Sequence, residues 1–146
     1  ELENTIKATG ELVIEVRDAA GQIKEVKKAK NLVVSVGKTF IASRVVGTAS
    51  AIMSHMAIGI STQTPAAADT ALISEAGRVA LASGTNSANA ITYTATFPAG
   101  TGTGAITEAA IFNASSGGTM LCRTVFPVVT KQAGDTIAIT WKVTVS

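Results

Sequence analysis

Residues 11–17 read Glu, Leu, Val, Ile, Glu, Val, Arg, an alternation that places Leu12, Ile14 and Val16 on one face of an extended strand. After Asp18-Ala19-Ala20-Gly21 a second alternating run begins at Gln22. Two such runs joined by a short loop containing Asp and Gly predict a β-hairpin. At Ser35 the period changes: Val36, Phe40, Ile41 and Val45 recur at helical spacing, with Ser35 placed as an N-cap and Gly47 as a stop. The spacing predicts one short helix over 35–46, weakened by Gly37, because glycine inside a helix costs about 1 kcal/mol relative to alanine.

Beyond Gly47, short apolar alternations are separated by Gly, Ser, Thr, Asn and Pro. They predict six more strands, at 55–60, 78–83, 90–97, 105–113, 119–126 and 136–145. In the third of these Ile91, Tyr93, Ala95 and Phe97 point one way and Thr92, Thr94 and Thr96 the other; in the last, Trp141 falls on the core face. The segment 61–77 is too long for a hairpin loop and is expected to cross over. The expected fold is all-β: a jelly-roll-like β-sandwich of about eight antiparallel strands with one short helix. A β-barrel plugged by the helix is the alternative. Residues 1–10 read as an amino-terminal arm, with Leu2 and Ile6 its only large apolar positions, and residues 11–146 as a single domain.

Composition narrows this picture. Hydrophobic residues make up 47% of the chain and charged ones only 15%, so an ordered chain is expected whose solubility rests on Thr, Ser, Asn and Gly. Such a surface suits burial in an assembly. A net charge of +2 is too small to indicate nucleic acid as a partner. The one basic cluster is Lys24, Lys27, Lys28 and Lys30, which has no aromatic residues interleaved for base stacking and reads as a strand edge guarded by lysines. No run approaches the ~18 apolar residues of a membrane span, and the amino terminus lacks the order of a secretion signal, so a soluble chain is expected.

Little in the sequence points to catalysis. The single histidine, His55, lies between Met53 and Met56 at a strand start, with no nucleophile motif to serve. Cys122 is the only cysteine and reads as a small buried hydrophobe. One His and one Cys do not make a zinc site, and neither a metal nor any other cofactor is expected. Glu75 precedes Gly77 and Arg78 and suggests a local ion pair or a cap on the crossover. Glu108 interrupts an apolar strand, and if it faces inward it needs Arg78 or Arg123 beside it. The run Ala99-Gly100-Thr101-Gly102-Thr103-Gly104 joins two strands rather than a strand and a helix, so it reads as a hairpin tip and not a phosphate loop. Residues 115–118 read as another tip.

The order of motifs from Met53 to Phe126 carries a resemblance. It comprises Met53-Ser54-His55-Met56-Ala57-Ile58-Gly59, Pro65, Asp69-Thr70-Ala71-Leu72, Glu75, Gly77, Arg78 and Thr94-Ala95-Thr96-Phe97. It continues through Gly104-Ala105-Ile106-Thr107-Glu108-Ala109-Ala110-Ile111-Phe112-Asn113 to Met120-Leu121-Cys122-Arg123-Thr124-Val125-Phe126. Together with Asn31-Leu32-Val33-Val34 and the short helix after it, this resembles small virion proteins of tailed bacteriophages, among them capsid decoration or cement proteins and tail-associated proteins. The resemblance implies a non-enzymatic β-sandwich, often a trimer, made in the host cytoplasm, sitting on the outer capsid surface and bridging major capsid subunits. A tail, baseplate or fibre module binding host carbohydrate is the alternative. Leu2, Ile6, Lys24, Lys27, Lys28 and Lys30 are the candidate partner interface.

Overall fold

The computed structural model describes residues 6–48 and 51–146. Its elements are β1 (Ala8–Arg17), β2 (Ile23–Val33), α1 (Ser35–Val45), β3 (His55–Gly59), β4 (Glu75–Ala80), β5 (Ser83–Ser87), β6 (Ala90–Phe97), β7 (Gly104–Phe112), β8 (Met120–Lys131) and β9 (Thr136–Val145). The strands form one nine-stranded sheet in the order β4-β3-β7-β8-β2-β1-β9-β6-β5, antiparallel throughout. The all-β class is as expected. The described residues form nine strands where about eight were expected, joined in one curled sheet.

The sheet turns at two corners. β2 pairs with β1 from Gly10↔Asn31 to Arg17↔Ile23, but with β8 only through Leu32↔Arg123 and Val33↔Cys122. At the opposite corner the edge strands β4 and β5 are linked by Leu81 and Ala82 alone. There the Leu81 N–H donates to Ser54 O and the Ala82 N–H to Thr94 O. Strands that change partners partway along their length turn a sheet back on itself. The curl encloses the main core, which includes Leu12, Ile14, Val16, Met56, Ile58, Phe97, Ile111, Ile137, Ile139 and Trp141, each at most 1% exposed. Trp141 donates its indole N–H to Asn31 Oδ1 at 2.8 Å. Gly10 makes room for this, because a Cβ there would meet Asn31 Oδ1 at 1.9 Å.

The amino-terminal arm is shorter than expected. Ala8 to Gly10 belong to β1 and pair with Val145 to Val143 of β9, because the ladder of a hairpin strand continues as long as its neighbour does. The 1–2 hairpin turn is as read: Asp18 Oδ1 accepts the N–H groups of Ala20 and Gln22, and Gly21 takes a φ of +82°. β8 runs on to Lys131, past the expected end at 126. Pro127 is tolerated because it lies in a bulge, between the pairs Glu108↔Val125 and Ile106↔Val129, where the ladder is already interrupted.

Two loops were misread. β3 and β4 are direct partners, from His55↔Ala80 to Gly59↔Glu75, so residues 60–74 do not cross over. They form a lobe that folds back over the outer face of the sheet. There Leu72 joins Val34, Ala57, Ala110, Phe112 and Met120 in a second small core. β7 is thereby buried on both faces, which is why its sequence, Gly-Ala-Ile-Thr-Glu-Ala-Ala-Ile-Phe, runs nearly continuously apolar instead of alternating. The glycine-rich run before β7 is not a hairpin tip either, since β6 and β7 are not neighbours in the sheet. It carries the chain from one half of the sheet to the other, and Gly102, at φ +69°, packs where a Cβ would strike the Ile58 side chain at 2.5 Å.

Helix α1 packs across β8 at one end of the rolled sheet, with Phe40 and Ile41 against the main core. Ser35 is not its cap. The N-cap is Val34, and the Ser35 N–H is satisfied by the Ala67 carbonyl of the lobe, so backbone takes the place of a capping side chain. Gly37 is the one buried residue of the helix. Its place is steric: a Cβ would lie 2.1 Å from Leu121 O on β8. Gly37→Ala is therefore expected to lower stability by about 1 to 3 kcal/mol, the range for overpacking, although helix propensity alone favours alanine by about 1 kcal/mol. Urea titration showing equal or greater stability would mean that the helix is not seated against β8 at this point.

Candidate functional site

Buried ionic chemistry is concentrated where the lobe meets the sheet. Glu108 on β7 and Arg123 on β8 are both fully buried. Arg123 Nη2 lies 3.1 Å and Nε 3.3 Å from Glu108 Oε1, while Nη1 donates to Asp69 Oδ2 at 3.0 Å and Nη2 to Gln63 O at 2.9 Å. The Glu108 carboxylate also accepts the backbone N–H groups of Ser61, Ile73 and Ser74 at 3.0, 3.1 and 2.9 Å. One guanidinium faces two carboxylates, and these N–H dipoles offset the surplus negative charge. Gly59 belongs to the arrangement, since a Cβ there would meet Glu108 Oε2 at 2.6 Å and Ser74 O at 2.4 Å. Of the two partners expected for Glu108, Arg123 is the one the fold supplies.

Arg78 has a different role. It pairs with Glu75 through Nε and Nη2 at 3.1 and 2.7 Å, the local ion pair read from the sequence. Its Nη1 donates to Ala114 O and Gly117 O, and its guanidinium stacks 3.8 Å from the Phe112 ring centroid. The β7–β8 tip is thus held by a cation–π contact and two carbonyls.

A second ion cluster closes the opposite end of the roll. Lys24 Nζ lies 2.7 Å from Asp135 Oδ2, which also accepts the Gln132 N–H, and buried Lys131 donates to Pro98 O. Lys24 first and the Gln132 N–H second hold the Asp135 carboxyl below its ordinary value, whereas burial lowers Lys131 and nearby Asp135 partly restores it.

The residues read as a partner interface are only partly brought together. Leu2 lies outside the described residues. Ile6 is 82% exposed at the foot of β1. The lysines divide between the two faces of β2. Lys28 and Lys30 stand opposite Val13 and Glu11 on the outer face. Lys27 stands opposite buried Ile14 on the inner face, 3.8 Å from Glu25, and Lys24 is spent on Asp135.

Two grooves flank α1. One, of about 610 Å³, is lined by Ile6, Ala8, Ile41, Val45 and Val145 among others. The other, of about 720 Å³, includes Phe40, Arg44, Ile52, Asn86, Asn89 and Tyr93. Burial pushes the Tyr93 phenol up to about 12. The His55 ring shares a hydrogen bond with the Ser54 hydroxyl, Nδ1 to Oγ 2.8 Å. Cys122 is buried, which raises its thiol well above the usual range. Among the described residues no group of three or more His, Cys, Asp or Glu is placed to hold a metal, and no helix is long and apolar enough to cross a membrane. Comparison with known protein families, curated proteins and solved structures returned no match.

Glu108→Gln breaks a buried pair and places an amide donor among backbone donors, so a loss of about 3 to 5 kcal/mol is expected. Hydrogen exchange should show faster exchange at Ser61, Ile73 and Ser74 than in the β1–β9 ladder; unchanged protection at those three amides would refute the role given to Glu108. For Asp135, a carboxyl whose folded pKa lies below its ordinary value of 3.8 contributes its stability in full above that value and loses it as pH falls through the folded one. The stability difference between wild type and Asp135→Asn is therefore expected to be constant from about pH 6 to 8 and to shrink below about pH 4. A difference that persists undiminished to about pH 2 would assign it to geometry and not to charge.

Proposed function

We propose that the protein is a structural virion component, a capsid decoration or cement protein of a tailed bacteriophage that bridges major capsid subunits as a homotrimer on the outer capsid surface. The observation that carries this reading is the gathering of exposed apolar side chains around α1. Ile6, Val45, Val46 and Ile52 are 82, 85, 78 and 65% exposed, and all flank or end this one helix. Clustered exposed apolar surface marks a place where another protein sits. The resemblance of residues 53–126 to phage virion proteins supplies the kind of assembly. A rolled sheet with a pinned lobe is stiff enough to tie neighbouring subunits together, and many weak attachments on one shell add up by multivalency.

A second reading, a tail or fibre module that binds carbohydrate, is favoured by the cleft beside α1, where the Tyr93 and Phe40 rings stand with the Asn86 and Asn89 amides. Tyr93 is half-buried there rather than fully inside like Trp141.

The test is binding to phage particles stripped of the protein. Wild type is expected to bind saturably, raise the temperature at which particles release DNA, and appear on the outer shell in an electron-microscopy map. Val45→Asp combined with Val46→Asp is expected to weaken binding at least tenfold while leaving the melting temperature within a few degrees. Density on the tail, or glycan binding abolished by Tyr93→Ala, would replace the first reading with the second.

A further inference from the structure

β2 has an open edge. From Ile23 to Asn31 its ladder runs only to β1, and β8 takes over as partner only at Leu32. Within that stretch two side-chain links cross the seam, the Thr124 hydroxyl donating to Lys30 O at 2.8 Å and Lys24 Nζ meeting Asp135 Oδ2 of the β8–β9 turn at 2.7 Å, and among the described residues no backbone hydrogen bond does. Exposed Ile23, Val26 and Leu32 lie along this strand and Val128 on the facing one. Lys28 and Lys30 stand on its outer face with no carboxylate within ion-pair distance among the described residues. An unpaired edge of this length offers a partner a row of backbone donors and acceptors, and the lysines decide which partner.

The chain carries a segment with the matching pattern. Its first seven residues read Glu-Leu-Glu-Asn-Thr-Ile-Lys. In an extended segment Glu1 and Glu3 share one face while Leu2 and Ile6 share the other. The first face fits beside Lys28 and Lys30, and the second turns toward the side of β2 where Ala29 packs on the core. Seven extended residues span roughly 23 Å, within the ~30 Å of nine residues of β2. Lys7 and Ser146 exchange backbone hydrogen bonds, which continues the β1–β9 ladder, and β2 stands between that ladder and its own open edge.

We infer that residues 1–6 of one copy add as a strand to the open β2 edge of a second copy, with Glu1 and Glu3 set against Lys28 and Lys30. The contact is heterologous, so it closes into a ring or runs on as a chain. It joins copies of this protein and does not depend on what shell, if any, the copies attach to.

Charge exchange tests it. Association of the full chain is measured by sedimentation as a function of concentration, with circular dichroism to verify folding. Glu1→Lys with Glu3→Lys, and separately Lys28→Glu with Lys30→Glu, are each expected to weaken association at least tenfold. The four changes together are expected to restore it to within about threefold of wild type. As a second readout, Glu3→Cys chains mixed with Lys28→Cys chains are expected to form disulfide-linked heterodimers, which Glu3→Cys mixed with Ser87→Cys, on the far edge strand β5, should not. A wild-type chain that stays monomeric at high concentration, association indifferent to both reversals, or equal cross-linking to Ser87 overturns the inference. Particle binding is scored separately, so a chain that decorates particles but fails these tests loses the arm-to-edge contact and not its proposed place on the virion.

Discussion

A carboxylate with no access to water costs several kcal/mol unless donors replace its hydration, and Glu108 has that replacement in full. Two donors come from Arg123 and three from the backbone of the lobe at residues 61–74. The lobe has no strand or helix of its own, so these bonds, with those of Asp69 and Gln63 to Arg123, decide where it lies. Its position in turn decides two other things. Leu72 is carried over Ala110 and Phe112 to complete the outer core, and Ala67 O reaches the first helical N–H, at Ser35. The helix, the second core and the accommodation of Gly59 all depend on one buried charge that a purely apolar residue would not have arranged.

The same economy explains why edges remain open. A sheet that rolls by letting corner strands change partners must leave part of each corner strand unpaired on one side. At the β4–β5 corner the exposed groups are partly taken up by Leu81 and Ala82. At the β2 corner the Thr124 hydroxyl takes up only the Lys30 carbonyl, and lysines stand along the rest. Lysine on an edge repels a second lysine edge, which is the usual reason to find it. It has the opposite effect on an acidic strand, so one residue type both suppresses indiscriminate pairing and selects a partner.

How much of this was legible in the sequence depends on whether a residue's neighbours are local. The first hairpin, β6, β9 and the inward placement of Trp141 follow from alternation and a recognisable turn, and they stand as read. β5 was missed because Ser-Gly-Thr-Asn-Ser is exposed at every position and carries no alternation. Its turn also lacks the usual signal: Ala88, at φ 51°, occupies a conformation ordinarily given to Gly or Asn. The excursion at 60–74 looked like a crossover because length alone does not distinguish a chain that travels from one that doubles back. Glu108 was legible as an anomaly in an apolar strand, and its dependence on an arginine followed from electrostatics. The three backbone donors were not legible, since backbone groups leave no mark in composition.

The candidate surfaces show the same division more sharply. Lys24, Lys27, Lys28 and Lys30 look like one cluster because sequence distance is small, but a strand sends alternate side chains to opposite faces and the bulge between Val16 and Arg17 displaces Lys24 further. Only Lys28 and Lys30 remain as a pair on an open surface. The apolar patch around α1 has the converse history: Ile6 and Val45 are far apart in the chain and line one groove only because β1 begins where the helix lies. A surface that forms only after folding owes its shape to the ionised core groups that hold the lobe in place. That ties the surface to rigidity, because a lobe released from Glu108 would free Ser35 and with it the seat of the helix that presents Val45 and Val46.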